Sequence, residues 1–150
     1  MIRKLGASEE VPYSLLLLAD ETKEAIGHYL PDASVYVWEE EDNMIAVYVL
    51  TVTGADSMEI MNLAVEPSRQ GEGIGLRMLE HATETARSLG FSRLDIETSN
   101  AAWGPLYLYQ KAGFEIDRLR KDFYRKRYPA PIRENRLLLN HMIVLRKTLL

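Results

Sequence analysis

Residues Met58 to Leu79 read MEIMNLAVEPSRQGEGIGLRML. The run divides into an apolar strand, a Pro-bearing turn, a loop with Gly71, Gly73 and Gly75, and the start of a helix. A small-residue loop between a strand and a helix start suits an anion. The N–H groups of a first helical turn have no acceptor inside the helix, and the helix dipole adds partial positive charge there. Alternate glycines remove the Cβ atoms that would hold a phosphate away. The stretch therefore predicts a site for a phosphorylated ligand, although a glycine-rich turn without a ligand would use the same residues.

Outward from this loop, the chain divides into alternating elements. Upstream, Ile2 to Leu5 reads as a short strand, and Val11 to Leu18 and Glu21 to Leu30 as helices, with Asp20 as N-cap and Pro31 as stop. Ala33 to Trp38, Met44 to Val52 and Met58 to Val65 form a three-strand meander, turning at Glu39 to Asn43 and Gly54 to Asp56. Downstream, Met78, Leu79, Ala82, Ala86 and Leu89 recur at helical spacing, with Gly90 placed as a C-terminal cap. Leu94 and Ile96 alternate with charges as a strand. Leu106 to Ala112 is helical with Gly113 after it, and its start is set at Pro105. Phe114 to Leu119 and Asn140 to Lys147 are the last strands. Between them lies a basic, Tyr-rich, Pro-bearing stretch, Lys121 to Arg136, whose run Arg125-Lys126-Arg127 is expected as a solvated loop or a lid over the acceptor site. The order predicts one domain over residues 1–150, mixed α/β with an antiparallel meander and a β-α-β crossover.

The 150 residues contain no cysteine, which excludes disulfides, thiolate metal sites and a cysteine nucleophile, and accords with a reducing cytoplasm. The apolar run Leu15 to Leu18 is too short for a signal core or a membrane span. The net charge of −4 is uneven: residues 1–67 carry 3 basic and 13 acidic side chains, residues 68–150 carry 15 and 9. The half with the glycine loop is the positive one, which favours an anionic ligand. His28, His81 and His141 have no metal-ligand spacing, and no metal is expected.

The type of phosphate ligand follows from the neighbours of the loop. A Rossmann fingerprint needs its third glycine one place later, where Leu76 stands, and no Gly-Lys-Ser/Thr ending marks a P-loop. Instead, Gln70, Gly73 and Gly75 fit Gln/Arg-x-x-Gly-x-Gly/Ala, led in by Leu63-Ala64-Val65-Glu66-Pro67. A second signature runs from Asn100 to Leu108-Tyr109-Gln110-Lys111-Ala112-Gly113-Phe114. In both, and in element order along nearly the whole chain, the sequence resembles the GNAT superfamily of N-acetyltransferases.

That resemblance implies a mostly antiparallel mixed sheet of about seven strands, with a splayed strand pair and about four flanking helices. It implies acetyl-CoA as co-substrate. The pantetheine arm would lie along Leu63, Ala64 and Val65 in the manner of an added strand. The pyrophosphate would rest on the N–H groups of Gln70, Gly71, Glu72, Gly73, Ile74 and Gly75, with the Glu72 side chain turned to solvent. Asn100 corresponds to a pantetheine contact, although it lies nine residues before Tyr109 where seven is common.

Acetylating an amine requires removing a proton, because a lysine-like amine costs roughly 4–5 kcal/mol to deprotonate at pH 7. Glu59, five residues before Ala64-Val65, matches the glutamate base of the histone-acetyltransferase branch, with Asn62 in place of an aromatic. Strict alternation puts it on one face with Met61, Leu63 and Val65, an apolar row that would raise its pKa. Asp95 is the second candidate base, by resemblance to ribosomal-protein acetyltransferases. Tyr109, five residues before Phe114, matches the tyrosine that protonates the leaving thiolate; Tyr107 would project from another helix face.

The acceptor is expected to be a small-molecule, protein or peptide amine, and a second copy of the chain is a candidate partner. No membrane is expected. The run Arg125-Lys126-Arg127 lacks an RNA-binding pattern, which argues against nucleic acid. A non-catalytic acetyl-CoA- or CoA-binding regulatory module is the alternative function.

Overall fold

The most apolar strand, β3 (Asn43–Val52), organises the molecule, because its residues Ile45 to Leu50 are buried on both faces. A strand can be apolar throughout only if both sheet faces are covered. In the computed structural model, which describes residues 1–149, helices supply that cover. Strand β1 (Ile2–Lys4) pairs with β2 (Ser34–Glu40), β2 with β3, and β3 with β4 (Ser57–Val65), all antiparallel. Helix α1 (Tyr13–Leu16) and helix α2 (Lys23–Tyr29) precede β2 and cover one face, where Leu15, Leu16 and Ile26 meet Val35, Val37, Val47 and Val49.

The opposite face is covered by α3 (Ile74–Ser88), whose buried Ile74, Met78, Leu79, Ala82 and Ala86 share the larger core with Tyr48, Leu50, Leu94 and Ile96. Strand β5 (Arg93–Ser99) returns parallel to β4, which completes the expected crossover. Helix α4 (Trp103–Lys111) leads to β6 (Glu115–Arg120). Helix α5 (Phe123–Arg127) and a hairpin, β7 (Arg133–Glu134) with β8 (Leu137–Leu138), fill the basic stretch. The last strand, β9 (Met142–Thr148), inserts between β5 and β6, giving a seven-stranded sheet in the order β1-β2-β3-β4-β5-β9-β6. The mixed α/β, mostly antiparallel architecture is the one the sequence predicts.

Three local expectations are corrected. Asp20 is not the cap of α2: the Thr22 hydroxyl accepts from Ala25 N–H at 3.1 Å, and Asp20 instead accepts from Tyr29 and Asn62. Helix α4 begins at Trp103, two residues before Pro105, since a first-turn residue needs no N–H. The run Arg125-Lys126-Arg127 is no plain loop but the end of α5, in a stretch that also forms the β7–β8 hairpin. That hairpin turns at Asn135 and Arg136, both at positive φ, as Glu41 and Asp42 are between β2 and β3. Neither turn carries the Asn-Gly pair by which such turns are normally read.

Among the described residues, no helix is long and apolar enough to cross a membrane. Leu79 is fully buried between α3 and the sheet. Leu79→Ala should lower unfolding free energy by about 2–5 kcal/mol, measured by urea denaturation.

Candidate active site

The site begins where a strand pairing stops. Strand β4 pairs with β5 only from Ser57 to Ile60, against Arg93 to Ile96. Beyond that point β4 keeps its other partner, β3, to Val65, and β5 keeps β9 to Ser99. The two strands therefore splay, and the β5-facing edge of residues 61–65 has no strand partner among the described residues.

A bulge sits at the same place. Leu50 opposes Ile60 and Val49 opposes Asn62, so Met61 is the extra residue. A bulge of this kind reverses the facing of everything beyond it. Met58 and Ile60 join the α3 core, Met61, Asn62 and Ala64 turn to the α1–α2 side, and Leu63 and Val65 return to the α3 side. This corrects the predicted apolar row: Glu59 shares its face with Met61, not with Leu63 and Val65.

Beside the free half of β4 lies a cavity of about 490 Å³ on the α3 side. Leu63 and Val65 form one wall, Gln70, Gly71, Gly73, Ile74 and Gly75 another, and Gly104, Pro105, Leu108 and Tyr109 of α4 a third. Gly71 and Gly73 stand at φ +83° and +82°, and a Cβ on either would touch nothing within 4 Å. Glycine is required there for the backbone turn, which L side chains resist. At Gly75 space decides instead: a Cβ would sit 3.1 Å from Leu108 Cδ2, so the glycine lets α4 approach α3.

The first bond closing inside α3 runs from Arg77 N–H to Gly73 O at 3.2 Å, and no side chain caps the helix. The N–H groups of Ile74, Gly75 and Leu76 are therefore available to an anion. The Glu72 side chain turns away to Arg69 (3.0 Å), which also binds Glu40 (3.0 Å), so its charge is balanced outside the loop. The Gln70 amide donates to Val65 O at 3.2 Å and braces the end of β4. These features fit a coenzyme that presents phosphates and an extended amide arm.

Tyr109 reaches the cavity from α4. Only 8% exposed, its hydroxyl is pushed up to about 12 by burial. Tyr107 is exposed on another face of α4, as expected.

Glu59 lies across the sheet, in register with Thr51 and Asp95. Burial, helped by the neighbouring Glu97 carboxylate and opposed by Arg120, raises its pKa to about 7. Asp95 differs sharply. It is 5% exposed, and Arg146 holds both its oxygens, at 2.8 and 3.0 Å. Sequence reasoning passed over Glu97, which burial also raises and which Arg120 pairs at 3.2 Å. The alternation of Asp95 and Glu97 was visible, but their register with Glu59 was not.

Asn100 is placed away from the cavity. Its side-chain oxygen accepts from Asn140 and His141 N–H (2.9 and 3.2 Å) and its amide donates to Leu138 O (3.1 Å). The two extra residues before Tyr109 lengthen this loop, and Asn100 ties it to the segment entering β9. Asn62 Oδ1 is a buried polar atom without a partner among the described residues; its Nδ2 donates to Leu16 O and Asp20. Among the described residues, no His, Cys, Asp or Glu cluster could hold a metal ion.

Known proteins resemble this chain in sequence and fold. The family model described as Acetyltransferase (GNAT) domain matches residues 31–116. The uncharacterized N-acetyltransferase YvbK of Bacillus subtilis (strain 168) is 38% identical over 131 residues, 87% of this chain and 84% of that protein. A GNAT family acetyltransferase from Elizabethkingia anophelis, solved with acetyl-CoA bound, superposes with a TM-score of 0.94 at 38% identity, covering 99% of this chain and 97% of that one. A Bacillus subtilis acetyltransferase in complex with CoA gives 0.93 at 36% identity, over 99% and 98%.

The raised Glu59 carboxyl has a signed consequence for stability. The fold favours its protonated form, so that contribution is full below about 4.5 and is lost as pH rises through about 7. Glu59→Gln keeps the shape without the charge. Its melting temperature should match the wild type at acid pH, exceed it increasingly between about pH 4.5 and about 7, and keep a constant margin above that, as read by thermal denaturation across pH.

Proposed function

The chain belongs to the GNAT acetyltransferases, and on that premise we propose that it transfers the acetyl group of acetyl-CoA to a primary amine by direct attack in a ternary complex. The observation that carries the reading is the gap between β4 and β5. A phosphate-competent cavity with Tyr109 lies on one face of the sheet and a poised carboxylate, Glu59, on the other, beside the point where pairing ends.

In this reading the free edge of Leu63 to Val65 receives the pantetheine amides, and the N–H groups from Gly71 to Gly75 receive the pyrophosphate, the Gln70 N–H being given to Pro67 O at 3.4 Å. Ala64 contributes backbone alone, since its side chain packs toward α1 and α2. Bound acetyl-CoA supplies an acyl group activated as a thioester. The amine approaches from the opposite face, where Glu59 and Glu97 favour a cationic acceptor.

Glu59 takes the ammonium proton; with a pKa near 7 it is substantially ionised at neutral pH yet basic enough to compete. The amine nitrogen then bonds to the acyl carbon as the carbon–sulfur bond breaks. Tyr109, held protonated by burial, hydrogen-bonds the departing sulfur and hands over its proton as charge builds there; the second proton that the nitrogen sheds as the amide forms restores the phenol. The same burial destabilises a thiolate, which narrows the gap between donor and acceptor. Asp95, fully engaged by Arg146, serves to hold β5 and β9 rather than to accept a proton. Glu59 in the role of base and Tyr109 in the role of acid favour the enzyme reading over a binding module.

Acetyl-CoA should raise the melting temperature of the wild type, and Gly73→Glu should abolish the shift by placing bulk and charge where the pyrophosphate would lie. No shift with wild type overturns the coenzyme site. A screen of amines and peptides for coenzyme A release tests turnover; silence across a broad panel, with the thermal shift intact, supports the non-catalytic alternative.

With an active amine in hand, Tyr109→Phe should lower kcat about 10²-fold or more, with little change in the acetyl-CoA KM. Glu59→Gln should cost a similar factor and remove the acidic limb of the kcat/KM profile near pH 7. An unchanged limb would assign the base elsewhere.

A further inference from the structure

Strand β6, Glu115-Ile116-Asp117-Arg118-Leu119-Arg120, is the outer strand of the sheet. It pairs with β9 on one side, and all six of its residues are exposed. Ile116 and Leu119 are 53% and 54% exposed, on an edge whose backbone groups have, among the described residues, no strand partner on the outer side. An open edge of this kind is a template for another strand, and proteins normally blunt it with charge, proline or cover.

The charges on this edge do something more specific. The register with β9 puts Glu115, Arg118 and Arg120 on one face and Ile116 and Leu119 on the other. Asp117, the extra residue of a bulge, accepts from the Arg118 guanidinium at 2.8 Å and so joins the charged side. The six residues read acid-apolar-acid, then base-apolar-base.

Antiparallel pairing of this strand with itself, about a two-fold axis between Asp117 and Arg118, sets Glu115 opposite Arg120, Ile116 opposite Leu119 and Asp117 opposite Arg118. Every facing pair is then opposite in charge or apolar on both sides, the pairings that stabilise antiparallel strands. In-register parallel pairing sets each charge beside its own copy. A one-residue slip of either copy puts an apolar side chain against a charge.

We propose that β6 is a self-complementary dimerisation edge, by which two copies of the chain join their sheets into one continuous sheet around a two-fold axis. The occupant is a second copy, because the charge order of the edge is satisfied by its own sequence reversed. The axis stands perpendicular to the sheet, so the two α3 layers share one side and the two Glu59 faces share the other. The contact is isologous and salt-sensitive.

The test uses the full chain and sedimentation velocity over a range of concentrations. Wild type should form a dimer that weakens as salt is added. The double variant Glu115→Arg/Asp117→Arg makes the edge wholly basic, and Arg118→Glu/Arg120→Glu makes it wholly acidic. Each alone should be monomeric, and their equimolar mixture should recover the dimer. Combining all four changes reverses the charge order but keeps the complementarity, so that variant should dimerise by itself. Circular dichroism and melting temperature confirm that each variant is folded; the changed positions are exposed. A wild type that stays monomeric throughout overturns the proposal. So does a dimer that survives either one-sign variant, or a mixture of the two that remains monomeric.

Discussion

The candidate site depends on one constraint of register: β4 and β5 can pair for four residues and no more. Up to Ile60 the two strands share hydrogen bonds and carry the crossover. After Ile60 the bulge at Met61 rotates β4 while β5 stays on course with β9. A sheet interior that opens in this way leaves backbone amides in need of partners. The glycine loop then turns the chain so that the first turn of α3 points more unpaired N–H groups at the same region. Binding capacity here arises from main-chain groups denied their usual partners, more than from side chains chosen to touch a ligand.

The side chains that matter are tuned by where the sheet places them. Glu59, Asp95 and Glu97 are carboxylates within one strand pair, yet each has a different situation. Asp95 is held by Arg146, Glu97 is bridged by Arg120, and Glu59 is left to feel burial and its like-charged neighbour. Tyr109 sits on the far side, against Phe114, where burial keeps its proton in place. A base and an acid are thus prepared by the same cause, removal from water, acting on groups of different intrinsic acidity.

Much of this was legible in the sequence, for physical reasons. Gly71 and Gly73 are demanded by backbone geometry that other residues resist, and Gly75 by close helix approach, so the loop announces itself. The period change at Gly75 and the long apolar run of β3 reflect burial directly. The facing of Glu59 was not legible, because one inserted residue flips a strand and neither Met61 nor Asn62 is a type that marks a bulge. Helix α5 and the β7–β8 hairpin were hidden too. They are short, mostly exposed and turn on Asn135-Arg136 without a glycine. Asn100 carried a family position into a lengthened loop, where local bonds hold it instead.

The bulge at Met61 also keeps the two compartments of the site apart. Side-chain facing in a strand has a period of two, and Ile60 and Leu63 lie three residues apart, so regular pairing of the same residues would turn Glu59 toward the cavity wall that holds Tyr109. The two compartments would merge into one crowded face, with Ile60 carried out of the α3 core. Deleting the extra residue would instead restore regular alternation with Glu59, Leu63 and Val65 on their present faces, and would remove the kink at the point where β4 leaves β5. Facing along β4 is therefore set jointly by its residue count and by the bulge that absorbs the odd member, independent of which residues fill it.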